Sequence, residues 1–239
     1  MKKCFLLFTF FNAVFAFAQS TDSTFKRFAI GLEFSPDLSY RYLVSANKMT
    51  EFIVKDRNEY EVPKLSFTTG ISGVFKLKDK IYLEAGIQYS VKGEKYKRQV
   101  YFIAPQSLYD PAIPANDNGS AKMVYNYKDI YIDVPVKLNY YLRTKKCSPF
   151  ISAGISPNIF LTEKVVINCR SSSGSNFSGY SFINPQALLG FGLDFNLKRI
   201  KMRVEPIGRC SVLPVIKNAN IKGYFYSVGI NYGLYYRFN

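Results

Sequence analysis

The stretch YSVGINYGLYYRF at positions 226–238 alternates between two kinds of side chain. Every second residue from Tyr226 to Phe238 is apolar or aromatic, while most of the residues between them are glycine or polar. Successive side chains of a β-strand point to opposite faces, so this pattern predicts a strand with one apolar face and one polar face. A chain built from such strands has to place the two faces in different surroundings.

The same alternation recurs in seven segments upstream. These segments begin at Phe28, Leu65, Ile81, Ile130, Ile151, Leu189 and Met202. The connections alternate in length, with short polar turns at residues 76–80, 143–148 and 197–201 and longer loops at residues 45–62, 98–124, 163–180 and 214–222. Short turns at one end and long loops at the other are typical of an up-and-down barrel. The predicted fold class is therefore all-β, an eight-stranded antiparallel up-and-down transmembrane β-barrel.

The charges on the polar face indicate which face meets lipid. Eight charged residues lie on it within the predicted strands: Glu33, Glu84, Asp133, Lys137, Asp194, Arg203, Glu205 and Arg209. On a lipid-facing surface near the bilayer centre, each would cost roughly 2 kcal/mol or more. Together they would exceed the ~5–15 kcal/mol by which a domain is stable. We therefore predict that these residues form a polar network in the barrel lumen and that the apolar face meets acyl chains.

A soluble barrel would reverse this arrangement and place the polar face in water. Glycine argues against that alternative, because eight glycines from Gly31 to Gly233 lie on the polar face and a water-facing glycine only weakens a strand. In the narrow interior of an eight-stranded barrel, small residues beside large ones fill the space. Pro135 also faces this interior, where it predicts a bulge or a local bend in the fourth strand.

The first residues, MKKCFLLFTFFNAVFAFAQS, have the layout of a secretory signal peptide. Two lysines precede an apolar stretch, and Ala16 and Ala18 form a small-x-small cleavage site. We predict a cleaved signal peptide at residues 1–18 and an outer-membrane β-barrel domain at residues 19–239. Removal of the two lysines lowers the formal net charge from +15 to +13. This excess is expected in loops and turns, where it meets lipid phosphates or an acidic periplasmic partner.

The residue types that most catalytic and metal sites need are scarce. The chain has no histidine, which removes the commonest general base and the metal-binding imidazole. Cys147, Cys169 and Cys210 have spacings that suit no zinc motif. We predict that the protein is not an enzyme and has no metal site and no cofactor. Its predicted export argues against nucleic acid as a partner.

Several segments together resemble a known family. The proline-bearing IDVPVKLNYYL, the PFISAGI that opens the next strand and the aromatic carboxyl end are similar to the PorT-like small outer-membrane β-barrel proteins. The resemblance implies residence in the bacterial outer membrane and recognition by the barrel-insertion machinery. Some members of that family are tied to protein secretion and gliding. These motifs indicate the fold and contain no catalytic or ligand-binding residues.

These observations predict a non-enzymatic outer-membrane barrel with a plugged polar lumen. It is expected to act through its loops as a structural, surface-interaction or secretion-associated component. The expected partners of this monomer are outer-membrane lipids, the barrel-insertion machinery and other cell-envelope or secretion proteins. The alternative is a small-solute pore or transporter of the porin kind. Eight strands disfavour that alternative, because open water channels come with about sixteen or more.

Overall fold

The computed structural model describes residues 28–101, 120–167, 170–174, 180–218 and 220–238. The predicted signal peptide lies outside these residues. In chain order the elements are β1 (Phe28–Ser45), α1 (Lys48–Tyr60), β2 (Glu61–Val62), β3 (Lys64–Lys76), β4 (Ile81–Lys92), β5 (Lys95–Tyr101), β6 (Ser120–Asp133), β7 (Val136–Tyr141), β8 (Cys147–Ile167), β9 (Arg170–Gly174), β10 (Ile183–Asn196), β11 (Ile200–Ser211), β12 (Ile216–Asn218) and β13 (Ile221–Phe238). In the described part of the chain, no helix is both long enough and apolar enough to cross a membrane.

All of the strands belong to one antiparallel sheet. β1 pairs with β13 along one edge and with β3 along the other, β3 pairs with β4, and β4 pairs with both β6 and β7. β8 runs beside β6 and β7 and also pairs with β10. β10 pairs with β11, and β11 pairs with β13. Each of the long strands therefore has a neighbour along both of its edges.

The long strands separate two faces of the sheet, as the alternation predicts. On β1, Leu32 is 64% exposed, whereas the next residue, Glu33, is 3% exposed. On β13 buried and exposed residues alternate in the same way as far as Phe238. Apolar side chains therefore cover the outside of the sheet, and polar side chains fill the inside.

The predicted irregularity at Pro135 is present as a break between β6 and β7. The peptide groups at the break remain hydrogen-bonded. The Val134 N–H donates to the Pro157 carbonyl at 3.0 Å, and the Gly86 N–H donates to the Pro135 carbonyl at 3.1 Å. Because both β6 and β7 run between β4 and β8, they act as two halves of one strand.

Within the described residues, the four connections predicted as long loops contain regular structure that the sequence analysis did not predict. The region 45–62 contains α1, the regions 98–124 and 163–180 contain parts of β5, β6, β8 and β9, and the region 214–222 contains β12. The prediction depended on alternation between apolar and polar residues. A strand end with water on both faces needs no such alternation, and a helix follows a period of 3.6 residues instead.

A capped first turn explains why α1 forms where it does. The side-chain oxygen of Asn47 accepts a hydrogen bond from the Met49 N–H at 3.1 Å, which satisfies one of the free donors at the helix start. Glu51 in the first turn and Arg57 in the last turn each complement the helix dipole. Asn47 is therefore a sequence signal for this helix.

Candidate functional site

The eight charged residues predicted for the lumen are all buried on the inner face of the sheet. They come from six elements: Glu33 on β1, Glu84 on β4, Asp133 on β6, Lys137 on β7, Asp194 on β10, and Arg203, Glu205 and Arg209 on β11. The structure distributes them over two groups. The central cluster contains Glu33, Glu84, Lys137, Asp194, Lys201, Arg203 and Glu205, and the second cluster contains Asp37, Lys92, Asp133 and Arg209.

Arg203 is the main cation of the central cluster. Its Nε lies 2.8 Å from Asp194 Oδ1, and its Nη2 lies 3.0 Å from Asp194 Oδ2, so the pair is bidentate. Its Nη1 also contacts the Glu84 carboxylate. The guanidinium carbon lies 4.4 Å from the centre of the Phe150 ring, a distance typical of a cation–π contact. One arginine therefore neutralises carboxylates from two strands.

Lys137 joins the same cluster to a third carboxylate. Its Nζ lies 2.7 Å from Glu84 Oε1 and 2.9 Å from Glu205 Oε2. The Asn231 amide donates to both Glu205 and Glu33 at 3.2 Å, so neutral side chains extend the network. A buried charge is costly unless it is paired and hydrogen-bonded, and these contacts meet that requirement.

The second cluster pairs Asp133 and Arg209, two of the predicted lumen residues, with Lys92 and Asp37. Lys92 Nζ lies 2.9 Å from Asp133 Oδ2 and donates to the Gln186 side chain at 3.0 Å. Arg209 Nη1 lies 2.7 Å from Asp37 Oδ1. Each predicted residue of this cluster therefore has an oppositely charged neighbour from a different strand.

Lys201 belongs to the interior, although the sequence analysis placed residues 197–201 in a short polar turn. It is 3% exposed, its Nζ lies 3.3 Å from Asp194 Oδ2, and it lies 4.3 Å from the centre of the Tyr235 ring. The signal that could have identified it is parity. Residues 201, 203 and 205 are two apart, so their side chains share one face of β11.

Aromatic and small residues fill the space between the charges. Tyr82, Tyr141, Phe150 and Tyr235 form one buried group. A Cβ at Gly154 would lie 2.2 Å from the Val136 carbonyl oxygen, so only glycine fits beside Lys137. Glycines therefore leave the space that the large aromatic and charged side chains of the interior occupy.

A small cavity remains beside the second cluster. Its volume is about 10 Å³, which is room for about one water molecule. Asp133, Ser156 and Arg209 are among the residues that line it. Asp133 Oδ1 and the Ser156 hydroxyl are buried without a direct hydrogen-bond partner, so a water molecule in this cavity would serve both.

A third polar group, the rim cluster, lies at the long-loop end of the strands and contains Arg41, Glu61, Glu94, Asp129 and Glu163. Arg41 Nη2 lies 2.7 Å from a carboxylate oxygen of Glu61 and 2.7 Å from one of Glu94. Arg41 follows Phe28, the first residue of β1, by 13 positions, beyond the roughly 9–11 residues with which a strand spans a bilayer. The rim cluster therefore lies outside the membrane-spanning length.

Burial changes the protonation of the rim cluster. It raises the pKa of Glu94 to about 7, with Arg41 opposing the rise and Glu61 adding to it. Burial also raises the pKa of Asp129 well above its ordinary value, and the carboxylates of Glu94 and Glu163 add to that rise. Glu94 thus changes its charge near neutral pH.

Within the described residues, no group of three or more Cys, Asp or Glu side chains is arranged to hold a metal ion.

The sequence profile of a family described as outer membrane protein beta-barrel domain matches residues 17–205. The chain belongs to this family. It is therefore an outer-membrane β-barrel protein, and its location is the bacterial outer membrane. The narrower resemblance to PorT-like barrels stays a prediction.

Several solved outer-membrane barrels are similar to this barrel protein at low sequence identity. Neisserial surface protein A is 13% identical over 88% of this chain and 97% of its own, with a TM-score of 0.46. The outer membrane protein OprG from Pseudomonas aeruginosa is 12% identical over 89% of this chain and 97% of its own, also with a TM-score of 0.46. The outer membrane protease OmpT from Escherichia coli is 8% identical over 92% of this chain and 100% of its own, with a TM-score of 0.44. No curated protein matches the chain.

Proposed function

We propose that this chain forms a closed, non-conducting barrel of eight strands that acts without catalysis, through the surface at its long-loop end. The observation that carries the proposal is the paired interior, in which Arg203 and Lys137 bind carboxylates from three other positions. A channel for solutes needs mobile water along its axis. Charges that are bound to each other and packed against aromatic rings leave little room for such a column.

The strand pairings support closure with eight strands. If β6 and β7 count as one strand interrupted at Pro135, the pairings lead from β1 through β3, β4, β6–β7, β8, β10 and β11 to β13, and β13 pairs with β1. An interior enclosed by eight strands is just wide enough for side chains to fill. In this account the cavity beside Asp133 holds one water molecule and forms no pathway.

The position of the helix and the short strands supports a role at the long-loop end, because these elements lie outside the bilayer. α1, β2, β5 and β9 all lie at one end of the barrel, together with the start of β6 and the end of β8. In the part of the chain that the structure describes, the other end has tight turns. Cationic residues in those turns, among them Lys78, Lys80 and Arg143, are exposed, as expected for contact with lipid phosphates. We propose export by the signal peptide at residues 1–18, insertion as a monomer by the barrel-insertion machinery, and envelope or secretion proteins as partners of the loops.

The orientation of the barrel gives the test of this proposal. An epitope tag inserted between Gly174 and Tyr180 is expected to bind antibody on intact cells, because β9, which ends at Gly174, lies at the long-loop end. A matched tag between Lys145 and Lys146, in a short turn, is expected to bind only after the outer membrane is permeabilised. The opposite pattern of labelling would show that the short turns face the outside and would overturn a loop-based surface role.

A further inference from the structure

The rim cluster contains two carboxylates that face each other. Asp129 on β6 and Glu163 on β8 are directly opposite in the antiparallel pairing, and they are 0% and 5% exposed. Opposite side chains on one face of a sheet have Cβ atoms about 4.5–5.5 Å apart, so two negative charges there repel each other. The ion pairs of the rim cluster involve the other carboxylates, Glu61 and Glu94. Among the described residues, Asp129 Oδ1 and Glu163 Oε2 have no hydrogen-bond partner.

Tyr180 is the one side chain that reaches both carboxylates among the hydrogen bonds of the described residues. Its hydroxyl lies 3.3 Å from Glu163 Oε1 and 3.5 Å from Asp129 Oδ2. A hydroxyl has one proton, so it donates to one of the two carboxylates at a time. A proton held by either carboxylate would supply a second donor and remove the repulsion between the two charges. The geometry therefore suits one proton for the pair.

The charges around this pair lead to the same number. The groups that face it come from the elements around the rim: Arg57 on α1, Arg41 on β1, Glu61 on β2, Lys64 on β3, Glu94 between β4 and β5, Tyr127 and Tyr131 on β6, and Tyr180 before β10. Three of these groups are cations. Together with Asp129 and Glu163, the cluster contains four carboxylates. One bound proton therefore balances the buried charge, which is costly when it is unpaired.

The direction of the pH effect follows from burial. Burial raises the pKa of Asp129 well above its ordinary value and also raises the pKa of Glu163. A carboxylate of this kind stabilises the closed rim below its ordinary pKa of about 4, and its contribution is lost as the pH rises through the raised value. Burial lowers the pKa of Lys64, at the end of the 13-residue strand β3, to about 8, and this effect has the opposite sign.

The segments that carry part of the rim cluster are attached by few strand pairings. β2 pairs with β5 over two residues, Glu61 and Val62, and Tyr180 joins Ile216 through an isolated bridge. Segments with few contacts open locally at a lower free energy than the rest of a protein. In contrast, β1 and β13 are paired from end to end. A loss of charge balance at the rim is therefore expected to open these segments before the barrel unfolds.

We propose that Asp129, Glu163 and Tyr180 form a pH-sensitive latch at the long-loop end of the barrel. One proton shared by the two carboxylates keeps Tyr180 and the α1–β2 segment on the rim. As the pH rises, this proton passes to water, the two carboxylates repel each other, and the rim opens while the central cluster stays closed. This inference goes beyond the proposed surface role, because it makes the surface at that end depend on pH.

The sequence offers a direct probe, because the chain contains no tryptophan. Phe225 on β13 is 1% exposed and lies directly opposite Arg41 of the rim cluster. Phe225→Trp is refolded into vesicles, and its fluorescence is quenched with acrylamide, which is uncharged. We expect the quenching constant to rise at least about twofold from about pH 5 to about pH 9, as the shared proton is lost.

Two substitutions in the Phe225→Trp background identify the group that titrates. Asp129→Asn keeps the shape of a protonated carboxyl group and leaves three carboxylates with three cations, so its quenching constant is expected to stay flat. It also leaves Lys64 in place, which separates the carboxylate pair from that lysine. Asp79→Asn, in the exposed turn after β3, is the matched control and is expected to keep the full rise.

Hydrogen exchange of the unmutated protein gives a second readout. The Tyr127 N–H donates to the Glu94 carbonyl at 3.0 Å at the rim, and the Leu142 N–H donates to the Pro149 carbonyl at 3.0 Å at the other end of the barrel. The protection of the Tyr127 N–H, corrected for the intrinsic exchange rate at each pH, is expected to fall over the same range. The protection of the Leu142 N–H is expected to stay constant.

The outcomes separate this inference from the proposed barrel. Leu32→Trp, on the outward face of β1, is expected to be quenched by brominated lipid at every pH. If it is, while Phe225→Trp and the Tyr127 N–H show no change with pH, the barrel stands and the latch is wrong. A rise in Asp129→Asn equal to that in Asp79→Asn would also overturn the latch. If Leu32→Trp loses its quenching over the same range, the whole barrel opens, and both proposals are wrong.

Discussion

Replacement of Arg203 by methionine is expected to lower the free energy of unfolding by roughly 3–5 kcal/mol, the range for removal of one partner of a buried ion pair. Methionine keeps the approximate length of the side chain but removes the bonds to Asp194 and Glu84. Both carboxylates would stay buried with less compensation, although Lys201 and Lys137 remain near them. Urea unfolding of the protein refolded in lipid vesicles measures the change.

Arg199→Met is the matched control for this substitution. Arg199 lies in the turn between β10 and β11 and is exposed, so the loss of its charge is expected to change the stability by no more than about 0.5 kcal/mol, as for surface substitutions in general. If Arg203→Met were as mild as Arg199→Met, the Arg203 environment would have to be hydrated, and the ion pairs would not be the packed interior described above.

The second large effect concerns the outer face. Leu32→Arg is expected to destabilise the barrel in a bilayer by about 2–4 kcal/mol, the cost of arginine on the lipid face at the midplane. Leu32 is 64% exposed and lies between Leu234 and Ile71 on the neighbouring strands, which are also exposed. Leu32→Met, which keeps volume and polarity, is the control and is expected to cost less than about 1.5 kcal/mol. Equal urea midpoints for the two variants would show that this face does not meet acyl chains.

The part of the fold that could be predicted from the sequence is the part that crosses the membrane. There each strand has lipid on one side and a packed interior on the other, so alternation appears in every strand, as with Leu32 and Glu33. Beyond that part, the apolar and polar residues of a strand need not alternate. β8 continues in this way to Ile167, through Thr162, Glu163 and Lys164, whereas β1 keeps an alternating pattern of burial as far as Val44.

The inner face of the site could be predicted residue by residue, but its pairings could not. Alternation assigns a side chain to a face, and it says nothing about the stagger between neighbouring strands. The sequence analysis assigned Asp133 to the polar network without a particular partner, and in the structure its partner is Lys92. That contact depends on the length and direction of the Lys92 side chain across the barrel, which no local pattern contains. α1 was not predicted for a related reason. Its contacts with Leu43 and Tyr96 join residues that are distant in the sequence, so no local pattern contains them.

Electrical conductance tests the central claim, a filled and closed interior, most directly. The purified protein is refolded into vesicles, and insertion is confirmed there with Leu32→Trp and brominated lipid. The unmutated protein is then fused into a planar bilayer beside a porin as the positive control. A lumen filled by paired charges and aromatic side chains is expected to show no steady single-channel conductance, although the porin conducts under the same conditions. Stable ohmic channels formed by the unmutated protein would contradict the plugged lumen and would make a small-solute pore the better account.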